Sequence, residues 1–171
     1  MTRISRTALA CAISKVDAMD MSQQADLADE IFNSQPTLFG SVLTLRKMGV
    51  PADRMGFPVK MLLVCFQSMK ESGAVWPKIS EQDLSRQLKR WMSSVQMGEN
   101  LNPSLSLYST QLYIDAHPEK DLMAYVTTSL AQWLADLSSP QESDKYVMMA
   151  VQNLVNSIAF VDFSNGRDPA V

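Results

Sequence analysis

Apolar positions recur at helical spacing along most of the chain, and turn-forming residues cut them into segments. Ile4, Leu9, Ile13, Val16 and Met19 lie on one side of a first helix over residues 3–20. Ser22 is a candidate cap for a short second helix. There Leu27 and Ile31 sit one turn apart, and Asp26, Asp29 and Glu30 face water. Pro36 is compatible with a first helical turn but not with an interior, so a third helix starts there and runs through Leu38, Phe39, Val42, Leu43 and Met48. Gly49 occupies its C′ position and Pro51 prevents continuation.

Residues 53–72 form the most apolar segment. Met55, Phe57, Val59, Met61 through Phe66 and Met69 cover nearly every side of a helix, which predicts a central element surrounded by the others. A buried strand over 61–66 is the competing assignment. The flanking Lys60, Gln67, Lys70 and Glu71 favour a helix, with Pro58 in its first turn and Gly73 after its end.

Ser80 and Asp83 stand in capping-box positions before a stripe of Leu84, Leu88, Trp91, Met92 and Val95. Residues 98–103 read as a loop. Asn102 caps the next helix, Pro103 opens it, and Leu105, Tyr108 and Leu112 form its expected core stripe. Pro118 is expected to begin a helix carrying Leu122, Val126, Leu130, Trp133 and Leu137. Ser139, Pro140 and Glu142 make an N-terminal signature for a final helix with Val147, Val151, Leu154, Val155 and Ile158 on its stripe. The whole predicts an all-α, compact single-domain bundle of about six to eight helices around the central apolar helix, residues 53–72. The domain spans 1–163, with 164–171 as a flexible tail. The pairs at 36–72 and 118–161 share a layout of helix, proline-marked turn, helix, with negligible sequence identity.

Composition narrows the class. A chain of 171 residues, 46% apolar and 19% charged, can bury a core without staples. Two cysteines are too few for a disulfide scaffold, and Cys65 sits inside the apolar run as a small hydrophobe. A reducing, cytoplasmic setting follows. The apolar stretch 8–13 is shorter than a signal peptide needs and Lys15 and Asp17 follow it, so an amphipathic helix is the better reading. No stretch reaches the length of a membrane span.

Catalytic motifs are scarce, and no cofactor or metal is expected. His117 is the single histidine, which is incompatible with a di-iron bundle or a zincin helix. Beside Pro118, Glu119 and Asp121 it reads as a junction residue before a helix rather than a proton-transfer group. Cys11 or Cys65 with His117 could form a nucleophile pair, but a thiol in an apolar helix is inert. Asp26, Asp29 and Glu30 share a face that could hold a hard cation, and a solvated acidic face is the plainer reading. The glycines are scattered singly, so there is no phosphate loop. Most of the twelve methionines fall on apolar stripes as core filler, whereas Met19, Met21, Met55 and Met97 lie near element ends.

Charge is divided along the chain. Residues 1–45 carry net −2, residues 46–90 net +5 and residues 91–171 net −6, within an overall −3. Arg86, Lys89 and Arg90 share one helix face, and Arg46 and Lys47 add to the basic third. These five are the candidate residues for a partner or a phosphate backbone. Pairing with the acidic parts of the same chain is the competing role. The expected function is a non-enzymatic interaction protein (an adaptor, inhibitor or assembly subunit) with a protein partner, or with another copy of itself through the divided charge. A nucleic-acid-binding subunit of a larger complex is the second reading, and a helical enzyme or ligand-binding bundle the third.

Overall fold

Local capping chemistry sets most helix boundaries. Ser5 accepts a hydrogen bond from the Ala8 amide and opens α1, Arg6–Ala18. The first segment is therefore shorter than residues 3–20, and Ile4 lies buried just outside it. Asp20, not Ser22, caps α2, Met21–Ser34: its carboxylate accepts from the Gln23 amide while the Gln23 side chain accepts from the Asp20 amide. Pro36 opens α3, Pro36–Lys47. That helix ends in a Schellman motif, with Gly49 at φ 91°, its amide on the Arg46 carbonyl at 3.3 Å and the Val50 amide on the Leu45 carbonyl at 3.0 Å.

The computed structural model describes residues 2–98 and 102–164, with the backbone alone for Met97 and Gly98. After a 3-10 turn at Ala52–Arg54 come α4, Gly56–Glu71, and α5, Glu81–Gly98. They are followed by α6, Pro103–Ala116, α7, Lys120–Asp136, and α8, Asp144–Phe160. Ser80 and Asp83 form the reciprocal capping box of α5, and Asn102 caps α6 through the Leu105 amide. Pro118 does not begin α7, because the chain is still turning at Glu119 and the helix starts at Lys120. Ser139 caps nothing: the 139–143 turn is held from another part of the chain, and α8 starts at Asp144. The tail expectation falls almost wholly outside the described residues, as does the centre of the 98–103 loop.

The fold is all-helical, with eight α-helices and no strand among the described residues. Met61 to Met69 are buried without a break, as helix and not as strand. α1, α2, α3, α7 and α8 pack around α4. The polar members of the run are satisfied within their own helix: Ser68 donates to the Val64 carbonyl and Gln67 to Glu71. α8 is nearly as enclosed, with Val147, Val151, Leu154, Val155 and Ile158 all buried against α3, α4, α5 and α7. α4 and α8 are thus the second helices of the two similarly laid-out pairs. No helix is long and apolar enough to cross a membrane.

Buried polar side chains join segments far apart in sequence. Glu119 accepts from the backbone amides of Arg3 and Ile4 at 2.9 and 3.1 Å, which pins the N-terminal segment at the start of α7. Gln35 donates to the Pro77 carbonyl and accepts from the Ile79 amide, fixing the extended 74–79 segment over the α2–α3 junction. Arg54 reaches from the turn before α4 to Asp144 and the Ser139 carbonyl in the turn before α8, so the junctions of the two pairs meet.

Candidate functional site

The basic residues singled out by sequence stand on two helices and make separate contacts. Arg46 donates to the Val50 carbonyl at 2.6 Å, closing the end of its own helix. Lys47 and Lys89 are exposed. Arg86 pairs with Asp83 at 3.5 Å, and the Arg90 guanidinium lies over the Phe160 ring at 4.4 Å. Other cations of the basic third cross to the acidic thirds: Lys60 pairs with Asp17, Lys70 with Glu30 and Arg54 with Asp144. The division of charge along the sequence is therefore partly cancelled in space. The exposed pairs, Lys60 with Asp17 and Lys70 with Glu30, contribute little, typically ~0–1 kcal/mol.

His117 belongs to a buried polar cluster. Its Nδ1 accepts from the Glu119 amide at 3.1 Å, which leaves the proton on Nε2, facing Asn156 Oδ1 at 3.0 Å. Tyr113 donates to the same oxygen at 2.8 Å. Burial lowers the His117 pKa below 6.5, outweighing its hydrogen bonds, and Arg90 acts in the same direction. The neutral ring is the folded-state form. An unfolded chain takes up this proton near pH 6.5 and the folded chain only below that, so stability is complete above 6.5 and falls as pH drops toward the folded value. Urea unfolding at about pH 7.5 and about pH 5.5 is expected to show a smaller loss for His117→Gln than for the native chain. An equal loss would remove His117 from the pH dependence. The space beside this cluster, lined by Gln87, Arg90, Trp91 and Phe160 among others, is about 50 Å³. That admits a water or two and no organic substrate.

The two thiols are far from equivalent. Cys65 is fully buried in α4, and burial pushes its pKa up to about 12. Cys11 is half-buried at the surface of α1 with its thiol donating to Glu71. A thiol reagent applied to native protein is expected to modify Cys11 and spare Cys65 until denaturant is added. Fast modification of both would show that α4 opens readily. Among the described residues no three His, Cys, Asp or Glu side chains come together, and Glu30 is engaged by Lys70.

A groove of about 440 Å³ runs between α3, α5 and α8. Gly40, Ser41, Thr44, Leu84, Leu88, Met149 and Asn153 line it with others, and Glu81 is its one charged residue. Asn153 donates to the Leu84 carbonyl, while its own Oδ1 has no partner. Nothing in this lining pairs an acid with a base.

The largest departure from the sequence-based expectation is at α5 and α6. Leu84, Leu88 and Trp91 pack toward α8, with Trp91 Nε1 bonded to Gln152 Oε1, but the same stripe runs on to Met92 and Val95, which are exposed. The α6 stripe that should be core has no buried residue at all: Leu105, Tyr108 and Leu112 are 51%, 63% and 50% exposed, and Leu107 is 73% exposed. The physical reason is reach. α5 overhangs the bundle in its last turns, and among the described residues α6 packs substantially on α7 alone, through its C-terminal turn around Ile114. From Pro103 to Ile114 α6 carries no charged residue. The methionines follow the same division: Met61, Met69 and Met123 are core, Met19, Met55 and Met148 pack at its edge, and Met21, Met48 and Met92 are exposed.

Comparison with known protein families, with characterised proteins and with solved structures gives no match in any of the three.

Proposed function

We propose that the chain is a macromolecular-interaction protein whose contact surface is the apolar projection made by the end of α5 and by α6. The observation that supports this reading is a 14-residue helix that buries none of its leucines. An isolated helix of that length is marginal in water, and its stability in proteins comes from packing an apolar face. Leu105, Tyr108 and Leu112 are exposed along one stripe of α6, and an exposed apolar patch on a folded domain marks a site of association. Its make-up of leucine, tyrosine and methionine without charge is that of an interface core. The five basic residues would serve at most as a rim, since three of them already have intramolecular partners. The lack of clustered acid–base groups, the neutral buried His117 and the solid α4 core all favour binding over catalysis.

Affinity purification from the native host, run in parallel with the native chain and with Leu105→Glu/Leu112→Glu, tests the proposal. A co-purifying macromolecule, or a second copy of the chain, that is lost with the variant supports it. Partners retained equally by both would move the contact surface elsewhere.

A further inference from the structure

The groove between α3, α5 and α8 exists because α3 and α5 both pack on α8 but scarcely on each other. The α3 side of the gap is small: Thr37, Gly40, Ser41 and Thr44 fall at i, i+3, i+4 and i+7, and a Cβ at Gly40 would meet nothing within 4 Å. Leu84, Leu88 and Met149 supply apolar wall from the other two helices. At about 440 Å³ the space has the size of a small-ligand site, roughly 300–1,000 Å³. A stripe of small residues alone would be no more than loose packing. Asn153 adds a second observation. This side chain lines the groove, is 4% exposed and donates to the Leu84 carbonyl at 3.1 Å, yet its Oδ1 has no donor. A buried acceptor without a donor is costly to keep, and a bound N–H or O–H group removes that cost.

We infer that this groove is a binding site for a small amphipathic amine, an apolar aryl or alkyl body carrying an ammonium group. The polar lining sets the sign of the charge. Glu81 is the one charged lining residue, and no basic residue lines the groove. Lys145, over the Tyr146 ring, is already paired with Glu142. Glu81 stands one turn before Leu84, the residue whose carbonyl holds Asn153, so its backbone is ~5 Å along the α5 axis from that anchor. An ammonium group has donors and no acceptor, which matches a carboxylate and an unpaired amide oxygen. A carboxylate or phosphate ligand offers acceptors only and is repelled by Glu81. The leucines and methionines of the wall take the apolar body. The site is separate from the α6 surface proposed above, and neither reading depends on the other.

The test is calorimetric titration of the full chain with three indoles that differ in charge: tryptamine, its uncharged ethylindole analogue and indolepropionate. Tryptamine is expected to bind saturably with a Kd on the order of 1 mM or below, and indolepropionate at least about tenfold more weakly. No saturable tryptamine binding up to about 5 mM, or equal binding of the anion, overturns the inference. Glu81→Gln should bring tryptamine down to the level of ethylindole, and a cation preference that persists in this variant also overturns it. Gly40→Leu, whose side chain grows into open space, should weaken tryptamine at least about tenfold with helix content kept. Undiminished binding in that variant counts against the groove. Should Gly40→Leu misfold, methyl NMR of the native chain decides: Leu88 and Met149 signals should move with added tryptamine, and shifts confined to other residues overturn the site.

Discussion

Arg54→Ala is expected to lower folding stability by about 3–5 kcal/mol, the scale for removing one partner from a buried ion pair. Arg54 is 7% exposed in the turn before α4. Its guanidinium donates to Asp144 Oδ2 at 3.2 Å and to the Ser139 carbonyl at 2.5 Å. With the cation gone, the buried Asp144 carboxylate keeps the Gln141 amide at 2.7 Å on one oxygen, while its other oxygen has no partner even in the native chain. Two carbonyl-rich turns would also lose their cross-link. Arg54→Lys restores a charge but not the fork that reaches both acceptors, so it should recover only part of the loss. Removing both charges, as Arg54→Met with Asp144→Leu, should recover more than Lys does. Urea unfolding curves of the three variants measure this. A loss under about 1 kcal/mol for Arg54→Ala would mean that the turn is solvated and the pair unimportant.

Leu62→Ala is expected to cost about 2–5 kcal/mol, because it opens a cavity in α4, where packing comes from several sides and cannot collapse. The matched change on the projection, Leu112→Ala, should fall within about 0.5 kcal/mol when measured on dilute, monomeric protein. The two substitutions delete the same atoms from the same residue type in a helix. The contrast between them therefore reads burial directly. Equal losses would mean that α6 is part of the folding core of a single copy, and the proposed contact surface would be lost with it.

Much of the architecture could be read from the chain. The apolar run Met61–Phe66 marked the central helix, and short-range capping chemistry at Ser80, Asn102 and Gly49 marked boundaries. Two boundaries failed where long-range contacts override local signals: Ser139, whose carbonyl is engaged by Arg54, and Pro118, which sits beside the buried Glu119. The buried polar residues were not legible at all. Gln35, Asn153, Asn156 and Glu119 lie at positions that periodicity assigns to water, and they are buried because distant segments converge on them. The proposed contact surface was hidden for a related reason. α8 between Tyr146 and Val161 and α6 between Pro103 and Ile114 are both uncharged. One is largely enclosed and the other is bare over most of its length, and nothing in a pattern of residue types tells how many neighbours a helix will find. The uncharged run Pro103–Ile114, with Leu107 across the helix from Leu105, Tyr108 and Leu112, is the one signal that could have drawn attention to α6.

The enclosure of α4 also has a consequence for how the polypeptide is made. Its apolar sides are covered partly by α8, which ends at Phe160, so about 90 residues must still be synthesised after Glu71 before the cover exists. At cellular elongation rates that is a delay on the order of 5–20 s. Until then a nascent chain carries its most apolar helix without the cover of α8. Chains cut short before residue 160 leave that surface open and are expected to be prone to aggregation.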